Sequence, residues 1–474
     1  MKAKEPPVGI CLQGISISIL KGQLFMNNKI YIRKPLGNTR FKWKQKDFAL
    51  STFNCVAEDM DLMIRNCKEA GFNLLELGWG VQHKAWEAVD MCEKHGIDLI
   101  FQDLEVFGGM MDLHDNRPVD DNKIIETARA LRDKKHVVGY YIWDEPHRDY
   151  LFREARRQSD IFEKEDPEAL LFSVFPPSYN PGPTWENGEY PDAFESFLKI
   201  VSPPVLSTDI YPIGDYCDLY PGHIYTDEMQ LDNSPMWLDL FVARSLAKKY
   251  ELPFWFYYQA SKVYNTKKLT FPMIRMMMYS AVLYGAKGLQ SLTATGACYL
   301  SDETPPPYPT ECTALLVTGE KGEFFEDTKK IHSELRMLGN TLMALTSTGV
   351  FHSSDLAPYG KYNEIYKKYA DDPKSCELIT GTLPKRTSVG EFADDYGNRY
   401  ILVLNREFEK TLKADVPLNG KYNIYEVSKV DGKQKLICEA SDIAPVSLEI
   451  GDAVLLRLQP EREEKFTVEY ILGD

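Results

Sequence analysis

The sequence predicts an α/β fold: a (β/α)8 TIM barrel over residues 1–346 followed by a small antiparallel β-sandwich over residues 347–474. Three observations carry this expectation. From residue 7 to about residue 345, strand-like and helix-like segments alternate, as they do in β-α units wound around a parallel sheet. Eight such units can be counted, which matches a closed barrel of typically ~250 residues enlarged by loops. Beyond residue 347 the helical period disappears, and short alternating strands separated by Asp-Gly, Asn-Gly and Gly-Asp take over.

The first strand falls at 8–13, with 48–53 as its rival, and a Lys-rich, aromatic excursion separates the two. Helix one covers 58–70, where Met60, Met63, Ile64 and Cys67 form one stripe, and it ends at Gly71. Strand two is 72–78 and its helix 84–94; strand three is 97–106, and its helix is 122–134, after a loop holding Gly108 and Gly109. Strand four is the apolar run from Val137 to Trp143, which ends abruptly in Asp144, Glu145 and Pro146. Asp149 is the expected N-cap of a helix reaching 164. Strand five is 170–175, and strand six is 205–211, followed by an acidic, aromatic loop at 214–233 and a helix at 235–250. Strand seven is 253–259 and strand eight 288–293. The Met-rich helix between them, 271–284, reads as barrel packing, and a last helix at 325–343 closes the ring. The sandwich strands are expected at 399–404, 422–427 and 453–458.

Composition narrows the function. With 70 acidic and 55 basic residues the formal charge is −15, which argues against nucleic acid and anionic membrane surfaces as partners and for a soluble protein with a neutral substrate. The nine cysteines are scattered without a CxxC pair, and none of the eight histidines is paired at metal-ligand spacing. Neither a zinc site nor a disulfide framework is expected, and no cofactor is called for. The segment 271–284 contains Arg275 and is too short to span a bilayer, so no membrane insertion is expected. The residues from Met1 to Pro7 lack the apolar core of a signal peptide, which fits a cytoplasmic protein or an exported one with its signal removed. Nothing in the sequence fixes an oligomeric state.

A barrel of this kind carries its site at the C-terminal ends of the strands. The polar residues there are Glu76 on strand two, Asp103 and Glu105 on strand three, Asp144 and Glu145 on strand four, Asp209 on strand six and Gln259 on strand seven. Trp79, Trp143, Tyr211, Trp255 and Tyr257 lie near the same ends. Strand alternation puts Tyr141, Trp143 and Glu145 on one side of strand four, and Ser207, Asp209 and Tyr211 on one side of strand six. Charges at the mouth of an apolar strand cost several kcal/mol unless paired or used, and carboxylates interleaved with aromatic faces suit carbohydrate. Cleaving a glycosidic bond takes one carboxylic acid to protonate the leaving oxygen and a second group on the other face of the sugar. Glu145 is the expected acid, its pKa raised by apolar surroundings and by Asp144. The bland alternatives are a loop-holding role for Asp209, ion pairs within the rim for Glu76, Asp103 and Glu105, and core filling for Trp79, Trp255 and Tyr257.

Four motifs carry a resemblance: Trp143-Asp144-Glu145-Pro146, Asp209-Ile210-Tyr211-Pro212, the strand from Pro253 through Gln259 to Ala260, and Tyr284-Gly285-Ala286-Lys287-Gly288. Together they resemble the glycoside hydrolases of the large retaining clan that includes the β-galactosidases and cellulase-like enzymes, over the barrel and more loosely over the sandwich. The resemblance implies an oligosaccharide or glycoside substrate, an acid/base glutamate at Glu145, and a nucleophilic glutamate at the end of strand seven. The sequence departs from that pattern twice: Asp144 replaces the usual asparagine, and Gln259, which has no anionic form, stands at the nucleophile position. Three completions follow. Asp209, or less favourably Glu105, supplies the second carboxylate; or Asp144 orients a substrate acetamido group while Glu145 protonates, as in the hexosaminidases; or the barrel binds sugar without cutting it. Substrate contacts are expected from Glu76, Trp79, Asp103, Glu105, Trp143, Tyr211, Trp255, Tyr257 and Gln259.

Overall fold

In the computed structural model the described residues are 10–12, 15–17, 47–53, 55–77, 85–103, 119–178, 189–213, 234–261, 269–296, 312–356, 361–371, 376–407 and 409–461. Two short antiparallel strands, β1 (Ile10–Leu12) and β2 (Ile15–Ile17), form a two-stranded sheet of their own. The barrel begins with β3 (Ala49–Phe53), so the rival first strand is the correct one and 8–13 is not a barrel strand. Then follow α1 (Met60–Glu69), β4 (Leu74–Leu77), α2 (Ala85–His95), β5 (Asp98–Phe101), α3 (Asp121–Leu131), β6 (Val137–Asp144), α4 (Asp149–Glu165) and β7 (Leu170–Val174). The ring continues through α5 (Tyr190–Val201), β8 (Leu206–Asp209), α6 (Met236–Tyr250), β9 (Phe254–Gln259), α7 (Phe271–Leu283), β10 (Gly288–Leu292) and α8 (Phe325–Ala344).

The helices start where short acidic side chains satisfy free N–H groups: Asp59 accepts from Leu62 N at 2.9 Å, and Asp120 from Asn122 N at 2.9 Å. Two expectations fail here. Asp149 is the first helical residue of α4 and not its cap, a position held by Arg148 without a side-chain bond. The sequence reading also assigned no helix between strands five and six, where α5 forms behind a Glu189/Asp192 capping box with Pro191 in its first turn.

All strand pairs in the eight-stranded sheet are parallel, in the order β7-β6-β5-β4-β3-β10-β9-β8. Closure comes just past the end of β7, where Phe175 bridges Thr208 and its N–H donates to Ser207 O at 2.9 Å. Two apolar cores result. An outer one lies between sheet and helices; an inner one fills the barrel with side chains such as Ala49, Leu74, Ile100, Tyr141, Phe172, Trp255 and Tyr257. At the barrel floor Trp255 packs over Gly288, where a Cβ would lie 2.7 Å from both Ala49 Cβ and the indole. The missing side chain makes room for the indole.

The second unit is one antiparallel sheet: β11 (Thr346–His352), β12 (Thr387–Ala393), β13 (Arg399–Asn405), β14 (Leu412–Val427), β15 (Gln434–Leu448) and β16 (Ala453–Pro460), in the order β11-β12-β13-β16-β14-β15. Only 422–426 of β14 pair with β16, and breaks in the β14–β15 register let the rest of that hairpin leave the plane. Leu412, Val416, Ala444 and Val446 of that portion share a core with Ile401, Val403 and Leu456 of the flat part, which gives the sandwich-like packing. Helical structure does not vanish after residue 347. Helix α9 (Lys361–Tyr369) packs on α6, with Tyr366 5.2 Å from Phe241 ring to ring. Among the described residues no helix is long and apolar enough to cross a membrane.

Candidate active site

Strand β6 positions the site by breaking its own alternation. Its register slips against β5 between Val137 and Gly139, and against β7 between Tyr141 and Trp143. Each bulge inserts a residue and exchanges the two faces. Tyr141 therefore enters the inner core, while Tyr140, Ile142 and Trp143 all join the outer one. The expected alignment of Tyr141, Trp143 and Glu145 on one side is thus incorrect, and Trp143 packs between sheet and helices. Asp144 is partly exposed at the rim and accepts from the Tyr141 hydroxyl at 3.0 Å. Glu145 follows with φ +48°, a left-handed backbone that costs a non-glycine residue roughly 1–2 kcal/mol and ends the strand.

Around this corner the carboxyl groups crowd. Burial, followed by the neighbouring charges of Asp209 and Asp144, pushes the Glu145 carboxyl well above the usual range. Asp209 is pushed up to about 6 by burial, against the opposing influence of its neighbours Glu145 and Tyr211. Asp144 is pushed up to about 7 by burial and then by the Asp209 charge, against the Tyr141 hydroxyl bond. The shift of Glu145 runs in the direction that favours its protonated form. One more acid stands behind them. Asp239 of α6 is wholly buried; its Oδ2 accepts from Ser178 N at 3.1 Å, and burial holds its carboxyl well above the ordinary value. Among the described residues no lysine or arginine forms an ion pair with Glu76, Asp144, Glu145, Asp209 or Asp239, so nothing cancels the upward shifts.

Beneath the rim, Glu76 of β4 is wholly buried inside the barrel. Its Oε1 accepts from Ser51 Oγ at 2.6 Å and from Gln290 Nε2 at 2.7 Å, and its Oε2 accepts from the Tyr257 hydroxyl. Gln290 Oε1 in turn accepts from Ser207 Oγ at 3.0 Å. Tyr141 neighbours Tyr257, and its own hydroxyl bonds Asp144 at the rim. Burial raises the pKa of Glu76 against those three donors.

Gln259 is wholly buried at the end of β9, and its amide is fully used. Oε1 accepts from Ile213 N at 2.9 Å, while Nε2 donates to Ile213 O at 2.7 Å and to Ser261 O at 3.3 Å. A carboxylate cannot make the latter two bonds, so the side chain that replaces the expected nucleophile fastens the segment after β8 to β9. Trp255 is wholly buried at the barrel floor, and Tyr257 is buried one layer above it. Tyr211 is partly exposed beside Asp209, and Asp103 is buried just beyond β5, which ends at Phe101. Trp79 and Glu105 lie outside the described residues. Ser51, Asp239 and Gln290 are not among the residues expected from the sequence, and Ser207 is expected there only to share a side of strand six with Asp209. Two of them left a signal, since Asp239 is the lone charge in Met-Trp-Leu-Asp-Leu-Phe-Val and Gln290 occupies an inward position of β10. Among the described residues no group of three or more His, Cys, Asp or Glu side chains is arranged to hold a metal ion.

No protein-family model matches the chain, and no curated protein matches its sequence. Among solved structures it is similar to a β-galactosidase from the psychrophilic Marinomonas ef1, with 11% identity over 63% of this chain and 62% of that one and a TM-score of 0.46. It therefore spans less than two thirds of that protein. It is also similar to a GH27 β-L-arabinopyranosidase from Geobacillus stearothermophilus (10% identity, 90% of this chain, 99% of that one, TM-score 0.46). A third is an Anoxybacillus α-amylase (10% identity, 88% and 98% covered, TM-score 0.45).

Proposed function

We propose that the chain is a glycoside hydrolase in which Glu145 protonates the leaving oxygen of a glycosidic bond. The observation that supports this reading is the crowding of three carboxyl groups, Glu145, Asp209 and Asp144, at the C-terminal rim. A general acid must hold its proton at working pH and yet release it to the substrate, and a carboxyl held up by two neighbouring carboxylates is set for that. When substrate enters, the glycosidic oxygen accepts the Glu145 proton. Asp209, whose ionised form its neighbour Tyr211 favours, then serves as the second group, attacking the sugar or activating water.

One observation favours a second reading. Asp144 is held by the Tyr141 hydroxyl at 3.0 Å, and in this reading it orients a 2-acetamido group of the substrate while Glu145 protonates. A panel of aryl glycosides tests both readings. Glu145→Gln is expected to lower the rate by about 10²–10⁴. Equal rates on 2-acetamido and 2-hydroxy sugars exclude the assisted route, and labelling of Asp209 by a fluorinated glycoside supports the first. Glycan binding without turnover by the wild type overturns both in favour of a sugar-binding barrel.

A further inference from the structure

Asp209 keeps one oxygen that the protein does not use. Its place in β8 aims it into the barrel mouth: Ser207, two residues earlier, donates inwards to Gln290 at 3.0 Å, while Thr208 between them meets the Tyr190 hydroxyl of α5 on the outside at 3.4 Å. The parallel register agrees, since Ser207 and Asp209 pair with Trp255 and Tyr257 of β9, both members of the inner core. Asp209 is 4% exposed, yet its buried Oδ1 receives no hydrogen bond from the protein. Buried polar atoms are nearly always partnered, so an unpartnered one that faces the mouth of a barrel marks the place of a ligand's donor. On the other side of β7, Asp144 pairs with Val174 of the inner core and therefore faces the same mouth.

The charge balance selects the donor. A sugar hydroxyl satisfies one oxygen and leaves the charge uncompensated, whereas an ammonium brings three N–H groups and a positive charge. Among the described residues no lysine or arginine forms an ion pair with Asp144, Glu145 or Asp209, and a buried carboxylate without a counter-ion is costly. We propose that the site takes a cationic sugar, a 2-amino-2-deoxy glycoside whose ammonium donates to Asp209 Oδ1 while Asp144 adds to the negative field around it. The position of the amine rests on the hydrolase reading. The 2-substituent sits on the carbon next to the reacting one, so a carboxylate with one oxygen set to act at the reacting carbon holds its other oxygen beside position 2. The titratable groups facing Asp209 are Asp144 and Glu145 at the end of β6, Tyr257 of β9, Tyr211 just past β8, Tyr190 of α5 and Asp239 of α6; Asp144 also faces Tyr141 and Glu76. None of them is basic. The carboxyl of Asp209, held up to about 6 by burial, is one that a bound cation draws back down, so binding near that pH releases protons.

Calorimetry on the full chain tests this without turnover, using methyl 2-amino-2-deoxy, 2-hydroxy and 2-acetamido-2-deoxy glycosides in the gluco and galacto series. At pH 7 the amine of one series is expected to bind about tenfold or more tightly than either neutral sugar. At pH 5 a carboxyl with a pKa of about 6 is only about one tenth ionised, so the preference drops about tenfold. At pH 6 the heat of amine binding depends on the buffer, as proton release requires. Asp209→Asn keeps the shape, removes the charge and brings the preference below about threefold. The pH series on the wild type decides the matter even where the variant does not fold. Equal binding of amine and hydroxyl sugars at pH 7, tighter binding of the acetamide, no binding of either amine, or a preference that survives Asp209→Asn or pH 5 overturns the proposal. Hydrolysis of aryl 2-hydroxy glycosides by a protein without the amine preference overturns it and leaves the hydrolase reading standing. Amine-selective binding with no turnover of any aryl glycoside sinks the hydrolase reading and leaves the cation site standing.

Discussion

At the scale of single residues, Glu145 and Asp209 show how a site is held against its own stability. The carboxyls of Asp144 and Asp209 are raised to about 7 and about 6, so between roughly pH 4 and pH 7 the folded state binds more protons than the unfolded one. Their stabilising protonation is complete below the unfolded values and is lost as pH rises through the folded ones, a loss on the order of a few kcal/mol. Thermal melts at a series of pH values are therefore expected to fall from acid to neutral pH. Asp209→Asn should flatten that decline and raise the melting temperature at about pH 8 while removing turnover. A melting profile unchanged by the substitution contradicts this reading. The pair of acids was legible in the sequence because Asp144 and Glu145 interrupt an apolar run. Their partners were less so. Ser51 and Gln290 are ordinary strand residues until the barrel turns them inwards onto Glu76, as Ser207 is until it meets Gln290.

At the scale of elements, two strand ends decide what the site contains. The bulges in β6 displace Trp143 outwards and give its inward place to Tyr141, which strict alternation cannot foresee because a bulge leaves no fixed residue signature. At the end of β9, Gln259 bonds both the N–H and the C=O of Ile213. Gln259→Glu, which restores the residue the family resemblance leads one to expect, puts a carboxylate against Ile213 O and Ser261 O. It should cost about 2–3 kcal/mol in denaturant unfolding and bring no gain in hydrolysis. A stable, more active variant contradicts the latch. The strands were readable because apolar runs bounded by Gly and Pro mark them. The first barrel strand was misplaced, since 8–13 is as strand-like as the true β3 and only pairing with β4 and β10 separates them.

At the scale of the whole molecule, the C-terminal sheet is bound to the barrel through α6 and α7. Met276, Met277 and Met278 of α7 are buried because the helix lies between barrel and sheet, and a Cβ on Gly390 would meet Leu283 O at 2.4 Å. A helix apolar all round needs cover on both sides. A chain ending at residue 346 is accordingly expected to be insoluble or to bind a hydrophobic dye, and a soluble, cooperatively melting barrel contradicts this. A buried arginine of α6 adds a polar tie: Arg244 pairs with Asp371 at 2.8 Å and bonds Ser347 at 2.7 Å. Arg244→Ala leaves a partly buried carboxylate unpaired and should cost about 3 kcal/mol in denaturant unfolding. A variant as stable as the wild type contradicts that tie.

The proton-donor role of Glu145 has its sharpest test in leaving-group dependence. Rates for wild type and Glu145→Gln are compared on one sugar bearing either a strongly activated aryl group, which leaves without protonation, or an unactivated alcohol, which does not. A small loss on the first and a loss of about 10²–10⁴ on the second is the expected result; equal losses on both contradict it.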